Sequence, residues 1–127
     1  MTETKQTFTV SRAAEANFEP GLREYFRYRD LGMVAATNGM VRAHVLRAAS
    51  PCPEGGTGAH YHDLQFQMNF VLNGWAKFWF EGQGEVVVQQ GDSWLQPPGI
   101  KHELVYYSDN FENIEITMPA DFTTHEV

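Results

Sequence analysis

Glycine and proline punctuate this chain so densely that a long helix has little room to form. The sequence spreads 11 Gly and 6 Pro over 127 residues, with short runs of aromatic and β-branched side chains between them. Glycine loses the most backbone entropy in a regular element and proline lacks an amide N–H, so each break tends to end a segment. Short apolar runs bounded by such breaks point to an all-β sandwich or barrel with very little helix. Closure into a barrel would also remove the exposed edges that so many strands create.

Extended segments are expected at Phe8 to Val10 (an outer strand), Arg23 to Arg29, Met40 to Ala48, Ala59 to His62 and Gln65 to Leu72. Others are expected at Trp75 to Phe80, Glu85 to Gln90, Ser93 to Gln96, His102 to Ser108 and Phe111 to Met118. Asp30 is placed to cap a short helical turn through Met33 and Ala36, and Asn38-Gly39 to stop it. Pro51 to Gly58 reads as a loop. Asn73-Gly74 is a tight-hairpin signal, Gly82-Gln83-Gly84 marks another turn, and Pro119 to Val127 reads as a tail. At this length one domain, 1–127, is expected.

Composition narrows the function classes. Hydrophobic residues are 43% of the chain, enough for a packed core and too many for a disordered one. The net charge of -7 repels phosphate backbones and anionic lipid, so neither nucleic acid nor a membrane is an expected partner. The single cysteine, Cys52, allows no intrachain disulfide and no all-thiolate metal site. Met1 to Gln6 lacks the apolar stretch of a signal peptide, and no run approaches the roughly 18 apolar residues of a membrane span. A small, soluble, cytoplasmic protein is the expectation.

Three histidines occupy informative positions. His60 and His62 are two apart on an extended segment, so both imidazoles point to one face and form half of a metal site. Within the next segment, parity puts Gln67, Asn69 and Val71 on one face. His102 follows Gly91, Pro97 and Gly99, breakers that end one strand and begin another. On a folded barrel it can meet the first two histidines.

The run Gly58, His60, His62, Gln67, Gly74 resembles the first motif of the cupin superfamily, about residues 58–74. The run Gly91, Pro97, Gly99, His102 resembles the second, about 91–106, at every spacing. The resemblance implies a jelly-roll-like β-barrel with a divalent metal bound by His60, His62 and His102 together with Gln67. It also implies a homodimer, to which Phe8 to Val10 is a candidate contributor. Three positions depart from the pattern. Gln67 stands where Glu is usual, Tyr106 where Asn is usual, and Glu54 where a Gly is usual, with Gly55, Gly56 and Gly58 nearby to make the turn.

A neutral Gln67 beside three neutral imidazoles would leave the full charge on the ion. Such an ion is the stronger Lewis acid, attracts anions and disfavours a 3+ state. That argument leans to Zn, although imidazole donors do not distinguish Zn, Fe, Ni or Mn. His44, if it faces inward, is a candidate base or a further imidazole ligand. Tyr106 shares parity with His102 and is a candidate catalytic hydroxyl. Asn69, Phe78 and Trp94 are candidates to contact a flat, small-molecule substrate.

The function expected is a metal-dependent cyclase or isomerase acting on a small oxygenated, aromatic or enolisable molecule, similar to cupin polyketide cyclases. The alternatives are an Fe(II)-dependent dioxygenase and a non-catalytic cupin that binds a small molecule through its metal.

Overall fold

The computed structural model describes residues 5–21 and 23–127. A 3-10 turn at Ala13–Glu15 precedes β1 (Glu19–Pro20) and β2 (Phe26–Asp30), and a short helix, α1 (Met33–Ala36), leads into β3 (Arg42–Ala48). There follow β4 (His60–Asp63), β5 (Phe66–Asn73), β6 (Trp75–Phe80), β7 (Gly84–Gln89) and β8 (Ser93–Leu95). The chain ends with β9 (His102–Tyr107), β10 (Glu112–Met118) and β11 (Thr123–Glu126).

Two antiparallel sheets result, one of six strands in the order β1-β2-β3-β10-β5-β8 and one of five in the order β11-β4-β9-β6-β7. The all-β, jelly-roll-like architecture expected from the sequence is present. Inward residues of both sheets, among them Phe26, Val71, Phe78, Phe80, Leu104, Tyr107 and Phe111, form one core cluster. The remaining space between the sheets is a cavity of about 490 Å³.

Alternation sorts β5 cleanly. On β5, Gln67, Asn69 and Val71 are buried while Phe66, Met68 and Phe70 are not, as parity required. Near α1, the Asp30 carboxylate accepts the Gly32 N–H at 3.0 Å. Asn38 and Gly39, both at positive φ, end the turn.

Three local expectations are corrected. Phe8 to Val10 forms no strand, and Phe8 is 90% exposed. Asn73-Gly74 does not close a hairpin, because β5 and β6 lie in different sheets. The chain crosses between sheets there. Glycine is required because its φ is +68° and a Cβ would meet Ser108, Asn110 and the Phe111 backbone. Last, the segment read as a tail carries β11, whose Thr124 pairs with His62 of β4.

Candidate metal centre

The histidine cluster is built by strand pairing. His60 and His62 project from β4 and His102 begins β9, with His60 directly opposite His102 in the antiparallel register. The ring centroids of His60 and His102 are 4.3 Å apart, and each lies 4.9 Å from that of His62. One ligand atom from each ring can be chosen so that all three lie within 4.8 Å of one another.

Each ring is held through Nδ1. His60 Nδ1 donates to the Gly58 carbonyl at 3.2 Å and His102 Nδ1 to the Ile100 carbonyl at 3.0 Å. Carbonyl oxygens only accept, so in both neutral rings the lone pair is left on Nε2. His62 Nδ1 meets the Thr124 hydroxyl at 2.9 Å, and the Phe122 ring packs edge-on to it. The segment Pro119 to Val127 therefore supports a ring of the cluster.

Burial keeps these rings neutral. It lowers the His60 pKa, and it takes His62 and His102 down to about 4, where neighbouring imidazoles add to the effect. At neutral pH the cluster is three uncharged nitrogen donors, the form in which imidazole binds a metal.

Gln67 and Glu115 line the same cavity. Gln67, 3% exposed, lies on β5 and donates from Nε2 to Glu115 Oε2 at 2.8 Å. Its Oε1 accepts from Gln96 Nε2 at 3.2 Å, and the same Gln96 nitrogen lies 3.0 Å from His102 Nε2. It lies 3.2 Å from His102 Nδ1 as well, so the Gln96 amide bridges Gln67 Oε1 and the His102 ring. Three neutral imidazoles and an amide oxygen suit a divalent cation, so these residues fit a bound metal ion.

Glu115 is the most consequential of the residues that sequence reasoning missed, the others being Gln96, Thr124 and Arg23. It accepts from His44 Nε2 at 2.8 Å through Oε1, with Gln67 on its other oxygen. Burial pushes its pKa up, but the hydrogen bond and charge of His44 and the hydrogen bond of Gln67 outweigh this and hold it below the usual carboxylate range. A signal existed in the sequence. In Glu112–Met118, Asn113, Glu115 and Thr117 alternate with Ile114 and Ile116, a polar face that turns inward because β10 sits between β3 and β5. The expectation of an uncompensated ion is corrected accordingly. A carboxylate stands one hydrogen bond behind Gln67, and the electrostatic reason for preferring Zn disappears.

His44, Asn69, Phe78 and Trp94 line the cavity, as does Arg23. Asn69 accepts from Asn113 Nδ2 at 2.7 Å. Tyr106 is outside, 48% exposed and stacked on Trp75. The register slips between Lys77 and Phe78, so that Lys77 faces Tyr106 while Phe78 faces Leu104. This bulge at Val105 inverts the parity that would have put Tyr106 beside His102. His125 pairs with Asp63 at 2.6 Å and stacks on Tyr61.

Fold and cavity together define a jelly-roll-like domain with a histidine cluster between its sheets. The cupin domain family matches residues 52–112, which take in the histidine pair and His102. Over those residues the chain carries a cupin domain. It is similar in structure to the polyketide cyclase RemF from Streptomyces resistomycificus, at 14% identity and a TM-score of 0.73, over 95% of this chain and 86% of that one. It is similar also to KdgF from a Halomonas species, at 18% identity and a TM-score of 0.71, over 89% and 94%. Against the iron(II) form of HppE the identity is 14% and the TM-score 0.68, over 91% of this chain but 63% of that longer one. No curated protein matches the chain in sequence. No helix among the described residues is long and apolar enough to cross a membrane.

Proposed function

We propose that this chain is a metal-dependent cupin enzyme that carries out Lewis-acid chemistry, of the cyclisation or isomerisation type, on a small aromatic or enolisable molecule. One observation carries the reading: three neutral imidazoles meet in a cavity that also holds a His44–Glu115 pair. His60, His62, His102 and Gln67 would hold a divalent ion, which would supply a Lewis acid for a substrate oxygen.

The chain's own residues supply the remaining steps. With Nε2–H given to Glu115, the uncharged form of the His44 ring has its lone pair on Nδ1 with which to take a proton, in a base held and oriented by a carboxylate. Phe78 and Trp94, with ring centroids 4.8 Å apart, form an apolar wall suited to a flat ring and exclude water. Arg23 on the cavity lining favours the anion that forms when the proton leaves. RemF, which shares this fold, is a polyketide cyclase; fold does not carry activity, so the reading stands on the cavity.

The test starts from the metal content of freshly purified protein. Aromatic dicarbonyl and catechol-like probes are then followed for product and for dissolved oxygen. The expected result is a bound divalent ion and conversion without oxygen uptake. Rapid oxygen uptake with Fe(II) alone would overturn the Lewis-acid reading. That outcome defines the second reading, an Fe(II) dioxygenase, which Glu115 favours because a nearby carboxylate eases a rise in charge at the ion. A tightly held small molecule with no turnover would indicate a binding protein.

The proposal includes a cytoplasmic homodimer. Phe8, at 90% exposure, and Val10, at 48%, lack cover from their own chain and are available to a second copy. Sedimentation at a single mass of one chain would exclude the dimer.

A further inference from the structure

A continuous hydrogen-bonded line crosses the cavity wall from Trp94 to His44. Trp94 Nε1 donates to Gln96 Oε1 at 3.2 Å, Gln96 Nε2 to Gln67 Oε1 at 3.2 Å, and Gln67 Nε2 to Glu115 Oε2 at 2.8 Å. The other Glu115 oxygen takes His44 Nε2 at 2.8 Å. Gln67 and Gln96 are 3% and 4% exposed, so neither amide has bulk water as an alternative partner.

The two ends decide the polarity of the line. An indole N–H can only donate and an ionised carboxylate can only accept, whereas an amide does both. Between a donor-only end and an acceptor-only end, only one arrangement pairs every atom. In it, both amides turn oxygen toward Trp94 and nitrogen toward Glu115. Reversing Gln67 would set its oxygen against the Glu115 carboxylate and its NH₂ against that of Gln96. Each clash leaves buried polar atoms unpaired, which is costly.

We propose that Glu115 and Trp94 are positioning residues that lock the Gln67 amide with its oxygen turned away from Glu115, on the side where the Gln96 amide meets the His102 ring, making a neutral side chain a dependable metal ligand. The proposal rests on Gln67 being a ligand, as in the function proposed above. A Glu at this position would present an oxygen in either orientation. A Gln does so in only one, so the substitution needs an outside group to choose. Glu115 meets that need by accepting from Nε2 alone.

A double-mutant cycle on the full chain tests this, with Co(II) as the probe and its visible absorption as the readout. Glu115→Gln removes the acceptor-only end and should weaken Co(II) binding roughly tenfold, the size typical of groups that orient ligands. In a Gln67→Ala background the same change should have almost no effect, since there is no amide left to orient. Equal losses in both backgrounds would overturn the proposal, because Glu115 would then act only through its charge.

A readout without metal separates this from the proposed function. In the metal-free protein the Gln67 side-chain amide protons should exchange slowly and shift markedly in Glu115→Gln. If they do not move, the line does not set the amide, whatever the protein does with metals. If the unmutated protein takes up no Co(II), the proposal falls with the metal reading, even where the amide protons respond. Should Glu115→Gln fail to fold, Trp94→Phe carries the test from the other end. It should displace both the Gln96 and Gln67 amide resonances and lower Co(II) affinity, and unchanged resonances would overturn the proposal.

Discussion

His60 and His102, 42 positions apart in the chain, stand directly opposite each other on neighbouring antiparallel strands with their rings 4.3 Å apart. Both Nδ1 atoms donate to carbonyls two residues earlier in their own segments, those of Gly58 and Ile100. Local backbone thus aims each ring, and strand register brings the two together. His62, two residues along β4, completes the cluster from the same face.

Removing one ring should disarm the cluster without unfolding the sheets. His62→Ala is expected to lower divalent-metal affinity at least about 100-fold, since one donor and the Thr124 contact go together. The circular dichroism of the β-sheets should persist. Metal analysis after dialysis reads the effect, and full occupancy in the variant would remove His62 from the site.

The strand after Pro119 makes a separate prediction. Thr124→Val keeps the shape of the side chain and removes the hydroxyl that meets His62 Nδ1 at 2.9 Å. Metal affinity should fall about tenfold, with a stability change of only ~1 kcal/mol. Calorimetric titration with Zn(II) checks the first and urea unfolding the second.

Acid should destabilise the metal-free protein in a defined window. The pKa of His102 falls from 6.5 to about 4 in the folded chain, through burial first and then its neighbour His60; His62 behaves likewise. Below pH 6.5 the unfolded chain takes up protons that the folded chain refuses. Stability is therefore complete above that value, declines as pH falls toward about 4, and levels off below it as far as these rings are concerned. For His102 the loss is at most roughly 3 kcal/mol. Urea midpoints measured between neutral pH and pH 4 test this, and a flat profile would contradict it.

Gln67→Glu should separate stability from metal binding. The new carboxylate would replace an amide nitrogen that lies 2.8 Å from Glu115 Oε2, and two carboxylates at that distance cannot both ionise. The metal-free protein should lose about 2 kcal/mol, while metal affinity is kept or increased. Thermal melts with and without Zn(II) should show a much larger metal-induced rise than in the unmutated chain.

At the sheet crossing, Gly74→Ala should cost about 1–3 kcal/mol. The residue sits at φ +68°, and a Cβ there would approach Phe111 Cα to 3.1 Å, besides meeting Ser108 and Asn110. Denaturant unfolding reads the loss, and the histidine cluster, carried by other strands, should still bind metal in the folded fraction.

What could be read from the sequence was what short-range chemistry decides. Alternation on β5 identified Gln67, Asn69 and Val71 as one face, and His60-x-His62 with the Gly91-to-His102 spacing identified the rings that meet in the cluster. Each is a property of a few consecutive residues, and backbone geometry translates it directly into direction. The single inserted residue at Val105 was not readable in this way, and it turned Tyr106 outward.

The partners were decided only by the tertiary structure. Glu115 finds His44 at a separation of 71 residues and Gln67 at 48, because β10 is laid between β3 and β5. Thr124 reaches His62 only because the last strand pairs with β4. Asn73-Gly74 has the composition of a hairpin, yet it changes sheets because the turn at Ser108 to Phe111 packs against it. Sequence periodicity specifies which way a side chain points from its own strand. Which strand lies alongside, and so whether a carboxylate stands behind a ligand, depends on burying the apolar faces of the whole chain at once.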